Sequence, residues 1–184
     1  MKIAELWAKQ IYNGNTDKEI PIAYAEEANS ILAEMSASED ASSKKAFRIK
    51  KINELEKICN STIFAGKDIT LSDGTVERFT LDEYDQLNLS GIALKLIGGA
   101  KTIAWHKDDE TSPCRFYSAT DGWTIINTLT AFKEYHITYF RDLRIYVNSL
   151  QSIEEINAIT YGFELPSLYK SAVLIECEEK QLGA

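Results

Sequence analysis

The chain has 184 residues, 45% of them hydrophobic and 26% charged. That is ordinary globular usage, and the length supplies a sizeable core without disulfides. The formal net charge of -8 and a sequence pI near 4.9 argue against a nucleic-acid binder, which concentrates positive charge on one face.

Ile3, Leu6, Trp7 and Ile11 recur at helical spacing and predict a short first helix that ends at Asn13-Gly14-Asn15. Pro21 suits the first turn of a second helix, with Tyr24, Ala28, Ile31, Leu32 and Met35 as its apolar stripe. Ser36-Ala37-Ser38-Glu39 has capping-box spacing and predicts the start of a third helix, running to about Asn60 with Ile52, Leu55 and Cys59 buried. Lys44, Lys45, Arg48, Lys50 and Lys51 lie in this segment and read as the solvated side of the helix.

The pattern then changes. Asp68 to Leu71 reads as a strand, Ser72-Asp73-Gly74 as a tight turn, and Val76 to Thr80 as the returning strand, because Asp-Gly tolerates the positive φ that hairpin turns need. Thr80-Leu81-Asp82-Glu83 resembles a capping box, and the helix after it should stop at Gly98-Gly99. Thr102 to His106 and Arg115 to Tyr117 read as a second pair of strands around a polar loop. Ser118-Ala119-Thr120-Asp121 opens a long helix to about Leu150. Its predicted buried stripe is Leu129, Phe132, His136, Phe140, Leu143, Val147 and Leu150. A short helix begins at Ser152-Ile153-Glu154-Glu155, and Pro166 opens a last one. The fold class expected is α+β, predominantly helical: a helical hairpin or bundle over 1–65, then a module over 66–184 of two small β-hairpins and a long helix.

The N-terminal residues carry no apolar run of signal-peptide type, and the most apolar stretch, Ile92 to Trp105, is broken by Lys95 and Lys101 and is too short to cross a bilayer. The expectation is a non-secreted protein made in a reducing cytoplasm, with no membrane partner. The three cysteines, Cys59, Cys114 and Cys177, form no Cys-x-x-Cys pair and suggest neither zinc nor redox chemistry.

His106-Lys107-Asp108-Asp109-Glu110 places a histidine beside carboxylates, yet consecutive loop residues point in different directions and no ordered ligand pattern is present. It reads as a solvated loop; a small hydrolase using His106, Asp108 and Asp109 is the enzymatic rival. His136 falls on an apolar stripe and reads as structural, with no nucleophile signature near it. No catalytic, metal or cofactor residues are assigned. Tyr135, Tyr139 and Tyr146 share a helical phase, with Arg141 and Arg144 flanking them, in the composition that interfaces favour. Core packing is the commoner explanation of such a face, and the two arginines favour the interface reading for its edge. Trp7, Tyr12 and Tyr24 are large aromatics of the anchoring type in the N-terminal segment.

An ordered series of segments adds a resemblance: the hairpin Ile69 to Leu81, then Asp85-Gln86-Leu87-Asn88-Leu89, the strand around Trp105-His106 with Phe116-Tyr117-Ser118, Tyr135-His136-Ile137-Thr138-Tyr139 with Leu143, and Ile159 to Pro166. Over roughly residues 45–166 the series resembles a domain of unknown function found in tail-fibre and baseplate-region proteins of phages and prophages. The resemblance implies a non-enzymatic structural component of a phage tail or phage-derived tail particle, assembled in the host cytoplasm, with other tail, baseplate or fibre proteins as partners. A tail-fibre assembly chaperone not retained in the particle is the alternative. A homo-oligomer would suit the symmetry of such assemblies. The first helical segment lies outside the resemblance and is expected to dock a neighbour, the alternative being that it completes the core of its own chain.

Overall fold

The computed structural model describes residues 3–13, 24–108, 111 and 113–182. Their order is α1 (Ile3–Tyr12), α2 (Ala25–Ala65), β1 (Lys67–Thr70), β2 (Val76–Phe79), α3 (Glu83–Ile97), β3 (Thr102–Trp105), β4 (Arg115–Ser118), α4 (Ala119–Ser149), α5 (Ile153–Ala158), a 3-10 turn (Ser167–Tyr169) and α6 (Ala172–Leu182). The class is α+β and mostly helical. The sheets are two separate antiparallel hairpins, β1 with β2 and β3 with β4. No helix among the described residues is long and apolar enough to cross a membrane.

Two compact units emerge, and neither is a single stretch of chain. One comprises residues 1–51 and 151–157, the other 52–150 and 158–184. The division falls inside α2, whereas the sequence suggested a boundary after it. The expected third helix is also absent as a separate element, because α2 runs unbroken through Ser36-Ala37-Ser38-Glu39. Capping spacing within a helix acts as a cap only if the backbone before it leaves the helix. Here all four residues stay helical, and Ser36, Ser38 and Glu39 are exposed. The predicted turn at Gly14-Asn15 and Pro21 lie outside the described residues.

In the first unit Ala4, Ala8 and Ala28 are buried, as small side chains are where backbones approach closely. The Tyr12 hydroxyl at the end of α1 donates to the Glu39 carboxylate of α2. The basic cluster lies along α2, with Lys45 and Lys50 exposed and Lys44 paired to Asp40 one turn earlier at 2.7 Å. Ser152 and Glu155 form a reciprocal cap at the start of α5. Ser152 Oγ accepts from the Glu155 N–H, and the Glu155 carboxylate accepts from the Ser152 N–H at 3.0 Å.

The core of the second unit draws on α2, both hairpins, α3 and α4. Ile63 of α2, Ile69 and Phe79 of the first hairpin, and Leu89, Ile92 and Leu96 of α3 meet there. Ile103, Trp105 and Tyr117 of the second hairpin and Ile125 and Leu129 of α4 complete it. In the hairpins the inward residues alternate with outward ones, as the pleat requires: Ile103 and Trp105 are buried while Ala104 is exposed, and Tyr117 is buried beside exposed Phe116. The two hairpins are tied by Glu77, which accepts from the Tyr117 hydroxyl at 2.9 Å and pairs with Arg115 at 2.5 Å. The Arg115 guanidinium lies 4.6 Å from the centroid of the Tyr117 ring.

Helix starts follow local chemistry. Ser118 caps α4 by accepting from the Asp121 N–H. The Asp121 carboxylate accepts from the Ser72 N–H at 2.8 Å, joining the first hairpin's turn to α4. That backbone donor, with the Ser118 hydroxyl, holds the Asp121 carboxyl below its ordinary value. The cap of α3 is Asp82 with Asp85, two residues beyond the expected pair of Thr80 and Glu83. Either register offers an oxygen acceptor followed three residues later by a carboxylate, and only the place where the backbone turns helical chooses between them.

Candidate interaction surface

The tyrosine face of α4 turns inward. Tyr139, expected as an interface residue, is buried: its hydroxyl donates to the Phe163 carbonyl at 2.8 Å and accepts from the Gly162 N–H at 3.0 Å. Tyr135 stacks on Tyr139, and Tyr146 stacks on Phe163 and meets Tyr169 edge-on. The segment from Ile159 to Tyr169 packs over this face, so these three tyrosines serve the fold first. Tyr135 and Tyr146 keep partial exposure, as do Trp7 and Tyr12 of the first unit, while Tyr24, just before α2, is more exposed. Of the expected α4 stripe, Leu129, Leu143 and Val147 are fully buried, whereas Phe132, His136, Phe140 and Leu150 are only partly so.

His136 is partly buried between α2 and the segment around Tyr161. Its Nδ1 lies 3.0 Å from the Tyr161 hydroxyl, and its carbonyl accepts from the Cys59 thiol at 3.4 Å. Burial, with a smaller contribution from Lys67, pushes the His136 imidazole below its ordinary pKa, which favours the neutral ring. Burial also pushes the Cys59 thiol up, away from the thiolate.

Arg141 and Arg144 point elsewhere, into a groove of about 620 Å³ bordered by the last turns of α2, the middle of α4 and the start of α6. Its apolar wall is made by Ile137, Phe140, Ile145 and Val173, and three of these four (Ile137, Ile145 and Val173) are exposed. Asp142, also in the groove, is buried and already engaged: its carboxylate accepts from the Ser171 N–H at 2.7 Å and so caps the turn into α6. Glu56 stands on the α2 side. Among the described residues neither Arg141 nor Arg144 has an ion-pair or hydrogen-bond partner, so the groove presents two unpaired cations against aliphatic surface. The arginines were legible in the sequence as interface candidates. Ile137, Ile145 and Val173 were not, because α6 supplies one wall and no local pattern shows where a distant helix returns.

The His106 side chain sits against the start of α3. His106 Nε2 lies 3.0 Å from Asp85 Oδ1 and Nδ1 faces the Lys107 carbonyl at 3.4 Å. The second Asp85 oxygen accepts from the Asp82 N–H in the α3 cap. Both partners are acceptors, so a neutral ring donates to only one of them, and the shorter contact is the one to Asp85. Cys114 lines the same shallow depression but makes no hydrogen bond to the imidazole. Asp108 lies away from this pair and its N–H donates to the Arg78 carbonyl at 2.8 Å; Asp109 and Glu110 lie outside the described residues. Among the described residues no three His, Cys, Asp or Glu side chains gather as a metal would need. Beside this pair, the Trp105 indole N–H is buried with no acceptor among the described residues.

Compared with known family models, curated proteins and solved structures, the chain matches none.

Proposed function

We propose that the chain is a non-enzymatic structural protein of a phage tail or phage-derived tail particle, placed in the baseplate or fibre-attachment region and acting through protein contacts. The reading draws on the ordered segments between residues 45 and 166 and on one structural observation, the groove of Arg141 and Arg144. Two unpaired guanidiniums beside exposed isoleucine and valine suit an extended or helical segment of a neighbouring tail protein that carries apolar residues flanked by Asp or Glu. Arginine gives such a contact its orientation through paired N–H donors on a carboxylate, and the aliphatic wall gives it burial. The carboxylate that faces His106 is also the one that closes the α3 cap, which favours this reading over a hydrolase.

The test is quantitative mass spectrometry on purified particles, from a host carrying the natural gene and from one carrying Arg141→Glu with Arg144→Glu. A structural component is present at a fixed stoichiometry, and the double variant folds but is lost from the particles or much reduced. A chain needed for fibre assembly yet missing from finished particles would instead mark a chaperone. Incorporation unchanged by the double reversal would remove the groove from the contact.

A further inference from the structure

Helix α3 is apolar on two sides, and only one is used. Leu89, Ile92 and Leu96 enter the core, while Tyr84, Leu87, Leu94 and Ile97 are between 69% and 77% exposed. Tyr84, Leu87, Gly91 and Leu94 follow one another by three and four residues, so they form a single stripe opposite the buried one. Glycine at the middle of the stripe leaves open space: a Cβ built on Gly91 meets no atom within 4 Å. The surface continues across a shallow depression lined by Gly91, Lys95 and Ala104 to the outer side of the second hairpin, where Phe116, the cross-strand partner of Ala104, is 78% exposed.

We infer that this face, centred on Gly91, is where a second copy of the chain docks, the two α3 helices pairing antiparallel across a two-fold axis. The reason for a second copy lies in the stripe's own symmetry. Antiparallel pairing about Gly91 sets Leu87 of one copy beside Leu94 of the other, lays the Tyr84 ring over Gly98, and brings the two Gly91 backbones together at the axis. Large side chains meet small ones at each end, and the glycines let the helices close. In an antiparallel two-fold pair each flank of a helix faces the same flank of its mate. Lys95 of one copy therefore lies within a turn of Tyr84 of the other, a cation–π reach. Tyr84, Leu87, Leu94 and Phe116, about three-quarters exposed, would together remove on the order of 1,000 Å² from water in a dimer, the area a specific interface should reach. This face is separate from the arginine groove, so either can fail without the other.

Sedimentation equilibrium of the full chain, from micromolar to several hundred micromolar, decides the matter together with two variants. The natural sequence should show a monomer–dimer equilibrium, and Leu87→Glu, its fold checked by circular dichroism, should raise the dissociation constant by at least about tenfold. Gly91→Cys, in a chain also carrying Cys114→Ser and Cys177→Ser, should form a disulfide-linked dimer under mild oxidation. The cross-link decides the question alone if Leu87→Glu does not fold. A chain that stays monomeric with no Gly91→Cys cross-link would overturn the inference. A dimer indifferent to Leu87→Glu, or a face that takes only a different protein, would do the same.

Discussion

Gly66, at the turn between α2 and β1, passes so close to Phe79 that a Cβ built on it would lie 1.8 Å from the Phe79 carbonyl oxygen. Its φ of +66 also places it in the left-handed region. Both constraints act on backbone, which cannot swing aside as a side chain can. Gly66→Ala should therefore cost roughly 3 kcal/mol or more in urea titration. Gly74, in the first hairpin's turn, has φ +84 but nothing within 4 Å of its Cβ position. Gly74→Ala should cost only about 1–2 kcal/mol, the conformational strain alone. Equal costs would mean that the end of α2 does not approach β2 as described.

On α4, Leu143 is completely buried while Phe140 is partly exposed in the arginine groove. Leu143→Ala should destabilise by about 2–5 kcal/mol, through lost burial and the cavity left behind. Phe140→Ala should cost clearly less, although the side chain is larger, because water already reaches it. A reversal of that order would indicate that the groove is filled by the chain itself.

The α4 positions show how far sequence alone reached. Leu129, Leu143 and Val147 were legible as core because they step by three and four along one helix. Asp73-Gly74, Ser118 with Asp121, and Ser152 with Glu155 were legible because turns and caps are closed by neighbours in sequence. Tyr139 was left open between core and interface, since its burial depends on a segment more than twenty residues away crossing over it. The walls of the arginine groove are of the same kind. On α3 the difficulty was different: with leucine and isoleucine on both sides of the helix, periodicity marks two faces and does not say which one the core takes.

The three thiols offer a chemical check on the packing. Cys114 is exposed, Cys177 is half-buried, and Cys59 is buried with its thiol donating to the His136 carbonyl. Burial first, then Glu134, pushes the Cys177 thiol up. Under native conditions a thiol reagent should modify Cys114 first and Cys177 more slowly. Cys59 should react only at the rate of unfolding. Mass spectrometry of the labelled chain over time reads the order directly, and early modification of Cys59 would contradict the packing of α2 on α4.

The cluster around His136 should also set how stability responds to pH at both ends. Burial, with Lys67, holds the imidazole below its ordinary value of 6.5, so between the folded value and 6.5 the unfolded chain binds the extra proton. The contribution is fully present above pH 6.5 and is lost as pH falls through the folded value. The tyrosines act in the opposite direction. Burial pushes Tyr139 up to about 12, and burial with the Cys59 contact pushes Tyr161 up as well. Their contribution is fully present below pH 10, the ordinary tyrosine value, and is lost as pH rises through the folded values. Urea midpoints should therefore fall on acidification from pH 7.5 to 5.5, and His136→Gln should remove part of that fall. Absorbance titration in the alkaline range should show two tyrosines ionising late, one of them missing in Tyr139→Phe. If His136→Gln keeps the full acid slope, the imidazole is not buried against Tyr161. If every tyrosine ionises near 10, the Ile159 to Tyr169 segment does not cover α4.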